Sequence, residues 1–142
     1  MDHVNDDEKW SSASLCIGSK KRSVDEISKF LDTKSDQAIS KGESLSKRNP
    51  KSPISKEHRW TLNSKSPSFK PLENHLEEIA SYIESHKSAI QELLPDCDLE
   101  IRCAFSSGNG QGGFFLDSAL LKKLAANSID IVVDLYPPEG NI

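Results

Sequence analysis

The stretch "CDLEIRCAF", residues 97–105, decides the fold. Cys97, Leu99, Ile101, Cys103 and Phe105 alternate with Asp98, Glu100, Arg102 and Ala104, and successive side chains on a strand point to opposite faces of the sheet. One face of this strand is core and the other is wet. Sheets covered on a single side are mostly antiparallel, so the rest of the chain is expected to supply further alternating strands and amphipathic helices for one face only.

Downstream, "IDIVVDLY" repeats the pattern over residues 129–136, with Ile129, Ile131, Val133 and Leu135 on one side and Asp130, Val132, Asp134 and Tyr136 on the other, until Pro137 and Pro138 stop it. Between the two strands, "SSGNGQGG" reads as a hairpin turn into a short strand "FFLD", followed by a helix "DSALLKKLAANS". Asp117 or Ser118 caps that helix, and Leu120, Leu121, Leu124 and Ala125 face inward. The glycines lack both the Lys-Ser/Thr pair of a phosphate loop and the strand-to-helix setting of a dinucleotide fingerprint.

Upstream, "ASLCIG" at residues 13–18 is the first strand, with Ala13, Leu15 and Ile17 on one face. Ser23 and Glu26 form a capping box at the start of a helix whose stripe is Val24, Ile27, Phe30 and Leu31. Order returns at "HRWTLNS", where His58, Trp60 and Leu62 share a strand face and Trp60 enters the core beneath the longest helix. That helix starts at Pro71, whose missing N–H costs nothing in a first turn. Leu72, Leu76, Ile79, Ile83, Ile90 and Leu94 carry it to Pro95, with His86 on the same stripe as a core or border residue. Residues 13–36 and 112–130 also match faintly as a repeated strand and capped helix.

The expected architecture is α+β, a mainly antiparallel sheet of about five strands with helices packed on one face as a two-layer sandwich. A single domain spans 11–136, after a flexible N-terminus at 1–10 and before a tail at 137–142. Hydrophobic residues at 35% and charged residues at 28% fit a modest core with polar loops attached. No apolar run reaches the roughly eighteen residues that would span a bilayer, and no basic-then-apolar leader begins the chain, so a soluble cytoplasmic protein is expected. Three cysteines without a CxxC spacing fit buried thiols in a reducing compartment rather than zinc ligands.

The net charge of −4 conceals an asymmetry: residues 1–71 carry +4 and residues 72–142 carry −8. The basic excess is concentrated at 41–70, where Pro50, Pro53 and many serines make residues 41–57 an exposed basic loop without regular structure. Aromatic interleaving there is confined to Trp60 and Phe69, so nucleic acid is not expected as a partner.

The order strand, "DEISKFL" helix, "SKGE" turn, "RWTL" strand, "LENHLEEI" helix and closing "LLKKLAANSIDIVVDLY" resembles a bacterial family catalogued as domain of unknown function 4279, from about Ser11 to Tyr136. This chain departs from it in a longer basic segment between Gly42 and His58. The resemblance implies no activity, cofactor or catalytic residue. By analogy, such small α+β proteins are similar to immunity proteins carried beside polymorphic toxins.

Three function classes follow. The first is a protein-binding inhibitor, an immunity protein that neutralises a toxin, such as a nuclease, through an acidic surface. Basic clefts that hold phosphates attract acidic faces, and Asp98, Glu100, Asp130, Asp134 and Tyr136 are its partner-binding residues. The second is an adaptor or regulatory module docking through the 41–57 loop. The third is an enzyme using Glu100, Asp130 and Asp134 as acid, base or divalent-metal ligands. Neither HExxH, nor GxSxG, nor ligand-spaced histidines support the last class. The expected protein is therefore not an enzyme, needs no cofactor or metal, binds a basic protein and avoids membranes. The sequence carries no signal of oligomeric state.

Overall fold

The structure is a computed structural model that describes residues 9–46, 48–107 and 112–136. In chain order the elements are β1 (Lys9–Ser19), α1 (Val24–Leu31), β2 (Gln37–Ile39), β3 (His58–Asn63), α2 (Leu72–Ser85), α3 (Lys87–Leu93), β4 (Asp98–Ser107), α4 (Ser118–Ala126) and β5 (Asp130–Tyr136). They build the expected α+β fold: one open sheet in the order β2-β3-β1-β4-β5, antiparallel except for the parallel β4/β5 pair.

Ser11, Ala13, Leu15, Ile17 and Ser19 are buried on β1, and Leu99, Ile101, Cys103 and Phe105 on β4. They share one core with Ile27 and Leu31 of α1, Leu76, Ile79 and Ile83 of α2 and Leu120 and Leu124 of α4, most of them in a single cluster. The helices therefore lie on the side that alternation assigned to the core. Both expected caps form: the Ser23 hydroxyl accepts from Glu26 N–H at 3.2 Å with the reciprocal Glu26 contact at 3.3 Å, and Asp117 accepts from Leu120 N–H at 2.8 Å. The three cysteines are free, and burial pushes their pKa values up, that of Cys103 to about 12 with Asp134 adding to the rise.

Several expectations are corrected. The first strand begins at Lys9, with Lys9 and Trp10 paired to Ser107 and Ser106, so the N-terminal segment is not flexible through residue 10; residues 1–8 lie outside the described residues. β2 has no sequence signature in three residues, and it pairs with β3 with Ala38 opposite Trp60. The long helix is two helices. At His86 the backbone leaves the helical region (φ −117°, ψ 23°), its ring Nδ1 bonds the Tyr82 carbonyl at 2.8 Å and the ring stacks on Tyr82 at 4.0 Å. The break shifts the phase, so Leu93 rather than Leu94 is fully buried.

The residues "FFLD" are not a strand, and β4 does not turn back into a hairpin. The chain instead returns through α4 to lay β5 parallel to β4, as a parallel pair requires a crossover. With no strand before α4, the faint repeat of strand and helix units does not exist, and Leu121 and Ala125 are exposed. Phe30 is also exposed, beneath the Arg22 guanidinium at 5.1 Å. Among the described residues, the basic 41–57 segment has no helix or strand but is not featureless. Ser44 and Ile54 form an isolated bridge, and buried Ser55 anchors the segment through Glu43 and Gly42 backbone bonds of 2.8 and 2.9 Å. The expected tail at 137–142 and part of the expected turn, 108–111, lie outside the described residues.

Between β3 and α2 the chain is pinned by Glu78, whose carboxylate accepts from Lys65 N–H, Ser66 N–H and the Ser66 hydroxyl at 2.6, 2.9 and 2.7 Å. Burial works to raise the Glu78 pKa, but these donors outweigh it and hold the group below the usual glutamate value. A depressed folded-state pKa adds stability above the unfolded value of about 4.3, and that stability is lost as pH falls through this range. The stability difference between wild type and Glu78→Gln, measured by urea denaturation, should therefore narrow as pH drops from about 6 to about 3. A constant difference would sink this assignment.

Candidate binding face

The second face of the sheet carries the side chains that alternation sends away from the helices. The register aligns them in rows: Arg59, Gly18 and Asp98 across β3, β1 and β4; Thr61, Cys16, Glu100 and Asp130 across β3 to β5; Asn63, Ser14, Arg102 and Val132 beyond them. Ala104 then faces Asp134, and Ser106 faces Tyr136. A groove of about 740 Å³ runs over the first rows, lined by Cys16, Gly18, Arg59, Asp98, Glu100 and Asp130 among others.

At Gly18 the strand leaves space that a neighbouring carboxylate fills. A Cβ there would stand 2.6 Å from Glu57 Oε1, so the missing side chain makes room for the Glu57 carboxylate to lie over the strand. Further along, the Ser14 hydroxyl donates to Asn63 Oδ1 at 2.7 Å, tying β1 to β3 on this face. Burial raises the Cys16 thiol's pKa, with a hydrogen bond to Thr61 opposing it, which disfavours the thiolate. At the far end, the Trp10 and Tyr136 rings meet at 5.3 Å across Ser106.

All five residues expected to bind a partner, Asp98, Glu100, Asp130, Asp134 and Tyr136, lie on this face, but they are not one cluster. Asp98, Glu100 and Asp130 line the groove, whereas Asp134 and Tyr136 sit outside its lining. Glu100 and Asp130 are direct neighbours, while Asp134 is four residues further along β5, roughly 13 Å at the usual strand rise. A joint metal or acid–base site of Glu100, Asp130 and Asp134 is therefore not assembled. Among the described residues, no group of three or more His, Cys, Asp and Glu is arranged to hold a metal ion.

The acidity is also less complete than the charge of the C-terminal half suggests. Arg102 Nε bonds Glu100 Oε2 at 2.9 Å, and Arg59 stands one strand away from Gly18. Arg102 was legible in the alternation of "CDLEIRCAF", and Arg59 in its position beside Trp60. Glu57 was not, because it precedes β3 and reaches the groove only through the close approach over Gly18.

A family model, described as domain of unknown function, matches residues 8–138. The chain belongs to the DUF4279 family. The match spans every element from β1 to β5, so the sheet and its groove belong to this DUF4279 domain as a whole rather than to an appended segment. No curated protein and no solved structure matches the chain. Among its described residues, no helix of the DUF4279 domain is long and apolar enough to cross a membrane.

Proposed function

We propose that this DUF4279 protein is a protein-binding inhibitor that takes a basic surface of another protein onto the groove face of its sheet, acting in the cytoplasm as an immunity protein against a cognate toxin. The observation that carries the reading is the charge of that face: Asp98, Glu100, Asp130 and Asp134 stand on it against Arg59 and Arg102. With Glu100 paired to Arg102, the three aspartates together with Glu57 over Gly18 outnumber the one remaining cation, Arg59, on this face. Such charges act chiefly on the rate of encounter, through attraction that salt screens.

Joint replacement of Asp98, Asp130 and Asp134 by lysine should slow association with a basic partner by about ten- to a hundredfold at low salt and flatten its salt dependence. Folding should hardly change, since each side chain is exposed. Glu100→Lys is the wrong probe, because it sets two cations together where an ion pair stood. The experiment is capture of the partner from the native cell, followed by binding kinetics at two salt concentrations. An acidic partner, or equal rates for the reversed protein, would overturn the proposal.

A further inference from the structure

β5 is an edge strand, longer than the opposite edge and apolar towards its end. Edges left in water are commonly blunted by shortness, charged side chains, proline or a covering element. The opposite edge, β2, has three residues; β5 has seven without a proline, and its charges are Asp130 and Asp134, both on the face away from the helices. Among the described residues, nothing pairs with its outer side. Its apolar row is covered progressively less towards the end: Ile131 and Val133 are half-buried, and Leu135 is 71% exposed although its register partner Phe105 belongs to the core. On the opposite face Tyr136 is 49% exposed beside Trp10. The strand end thus shows apolar surface on both sides of one free edge.

We propose that this edge is a self-association site, where β5 of a second copy of this chain pairs antiparallel about Val133 to continue the sheet. The choice of occupant comes from the order of charges along the strand. A two-fold axis perpendicular to the sheet keeps both helix layers on one side, so each residue must face one of its own alternation class. Centring the pair on Val132 sets Asp130 opposite Asp134, and centring it on Asp134 sets that carboxylate against itself. Centring on Ile131 or Leu135 leaves more than half of the strand unpaired. Centring on Val133 pairs all seven residues: Val132 meets Asp134, Asp130 meets Tyr136, and exposed Leu135 meets Ile131. No carboxylate then stands directly opposite another, and the Leu135–Ile131 pair forms twice by symmetry.

Sedimentation equilibrium of the full chain from about 1 μM to about 1 mM tests this, across the range where dimers of this kind dissociate. Wild type should pass from monomer to dimer. Leu135→Lys, at an exposed position, should raise the dimer dissociation constant about tenfold or more by removing two symmetric apolar pairs. Val132→Lys should lower it severalfold at low salt, because each new ammonium faces Asp134 of the second copy, and the gain should shrink as salt is added. Circular dichroism melting checks that both variants fold, and either one suffices. A wild type that stays monomeric throughout overturns the proposal, as does a dimer indifferent to Leu135→Lys or weakened by Val132→Lys. Binding of β5 only to a strand of another protein would appear as the first of these outcomes.

Discussion

Trp60→Ala is expected to lower the free energy of unfolding by about 3 to 5 kcal/mol, the largest loss from any single truncation in this protein. Trp60 is wholly inaccessible and heads the fully buried side chains in volume. It stands between Ile17 of β1 and Ala38 of β2, so its removal opens a void at the centre of three strands that rigid backbone pairing cannot collapse. Its indole N–H also donates to the Ser28 hydroxyl at 2.9 Å, which fastens β3 to α1 rather than to the long helical segment that the sequence placed above it. Trp60→Phe should cost less, keeping most of the packing while giving up this bond. Trp10, 38% exposed and resting on Tyr136, should lose about 1 kcal/mol or less as alanine. Urea denaturation followed by circular dichroism measures all three, and a Trp10→Ala variant less stable than Trp60→Ala would show that the core has been misassigned.

His75→Ala is expected to cost on the order of 3 kcal/mol, far more than His86→Ala. His75 is 1% exposed on the inner side of α2. Its Nε2 lies 3.1 Å from the Pro67 carbonyl, which can only accept, so Nε2 carries the proton and Nδ1 is set to accept from the Ser64 hydroxyl at 2.6 Å. Ser64 in turn exchanges bonds with Ala13: its hydroxyl accepts from Ala13 N–H at 3.3 Å, and its N–H donates to the Ala13 carbonyl at 2.8 Å. The imidazole therefore links α2, the turn after β3 and the central strand, and its loss opens a cavity, takes the acceptor from the half-buried Ser64 hydroxyl and leaves the Pro67 carbonyl with Lys70 N–H alone. His86 is half-buried and serves its own helix break, so its truncation should change stability by less than about 1 kcal/mol. Hydrogen exchange should rise across residues 64–70 in His75→Ala alone. Unchanged exchange there, with equal costs for the two histidines, would remove the linking role.

The difference between the two histidines shows where a pattern stops being informative. His86 lies on the apolar stripe of the sequence, yet that stripe crosses a helix break where the His86 backbone leaves the helical region. His75 sits between Leu72, Leu76 and Ile79 on the same turns, but nothing local distinguishes a buried imidazole from a border one until Ser64 and Pro67 are brought to its nitrogens. The binding face behaves in the same way. Alternation placed Asp98, Glu100, Asp130, Asp134 and Tyr136 together on one side, whereas the groove under only three of them required the neighbouring strands.

The amino-acid sequence by itself determined the α+β class, the strands centred on Leu15, Trp60, Ile101 and Val133, the caps at Ser23 and Asp117, and the side of the sheet each residue takes. These follow from forces that act within a few residues, namely the two-residue pleat and the need of the first helical amides for an acceptor. Tertiary structure alone decided the strand order, the parallel return of β5 through α4, the recruitment of β2, the Arg102–Glu100 pair's neighbours and the seat of Glu57 over Gly18. Each joins residues far apart in the chain, and such contacts are set by which apolar faces can be buried together at once, a condition on the whole core that no short window of residues contains.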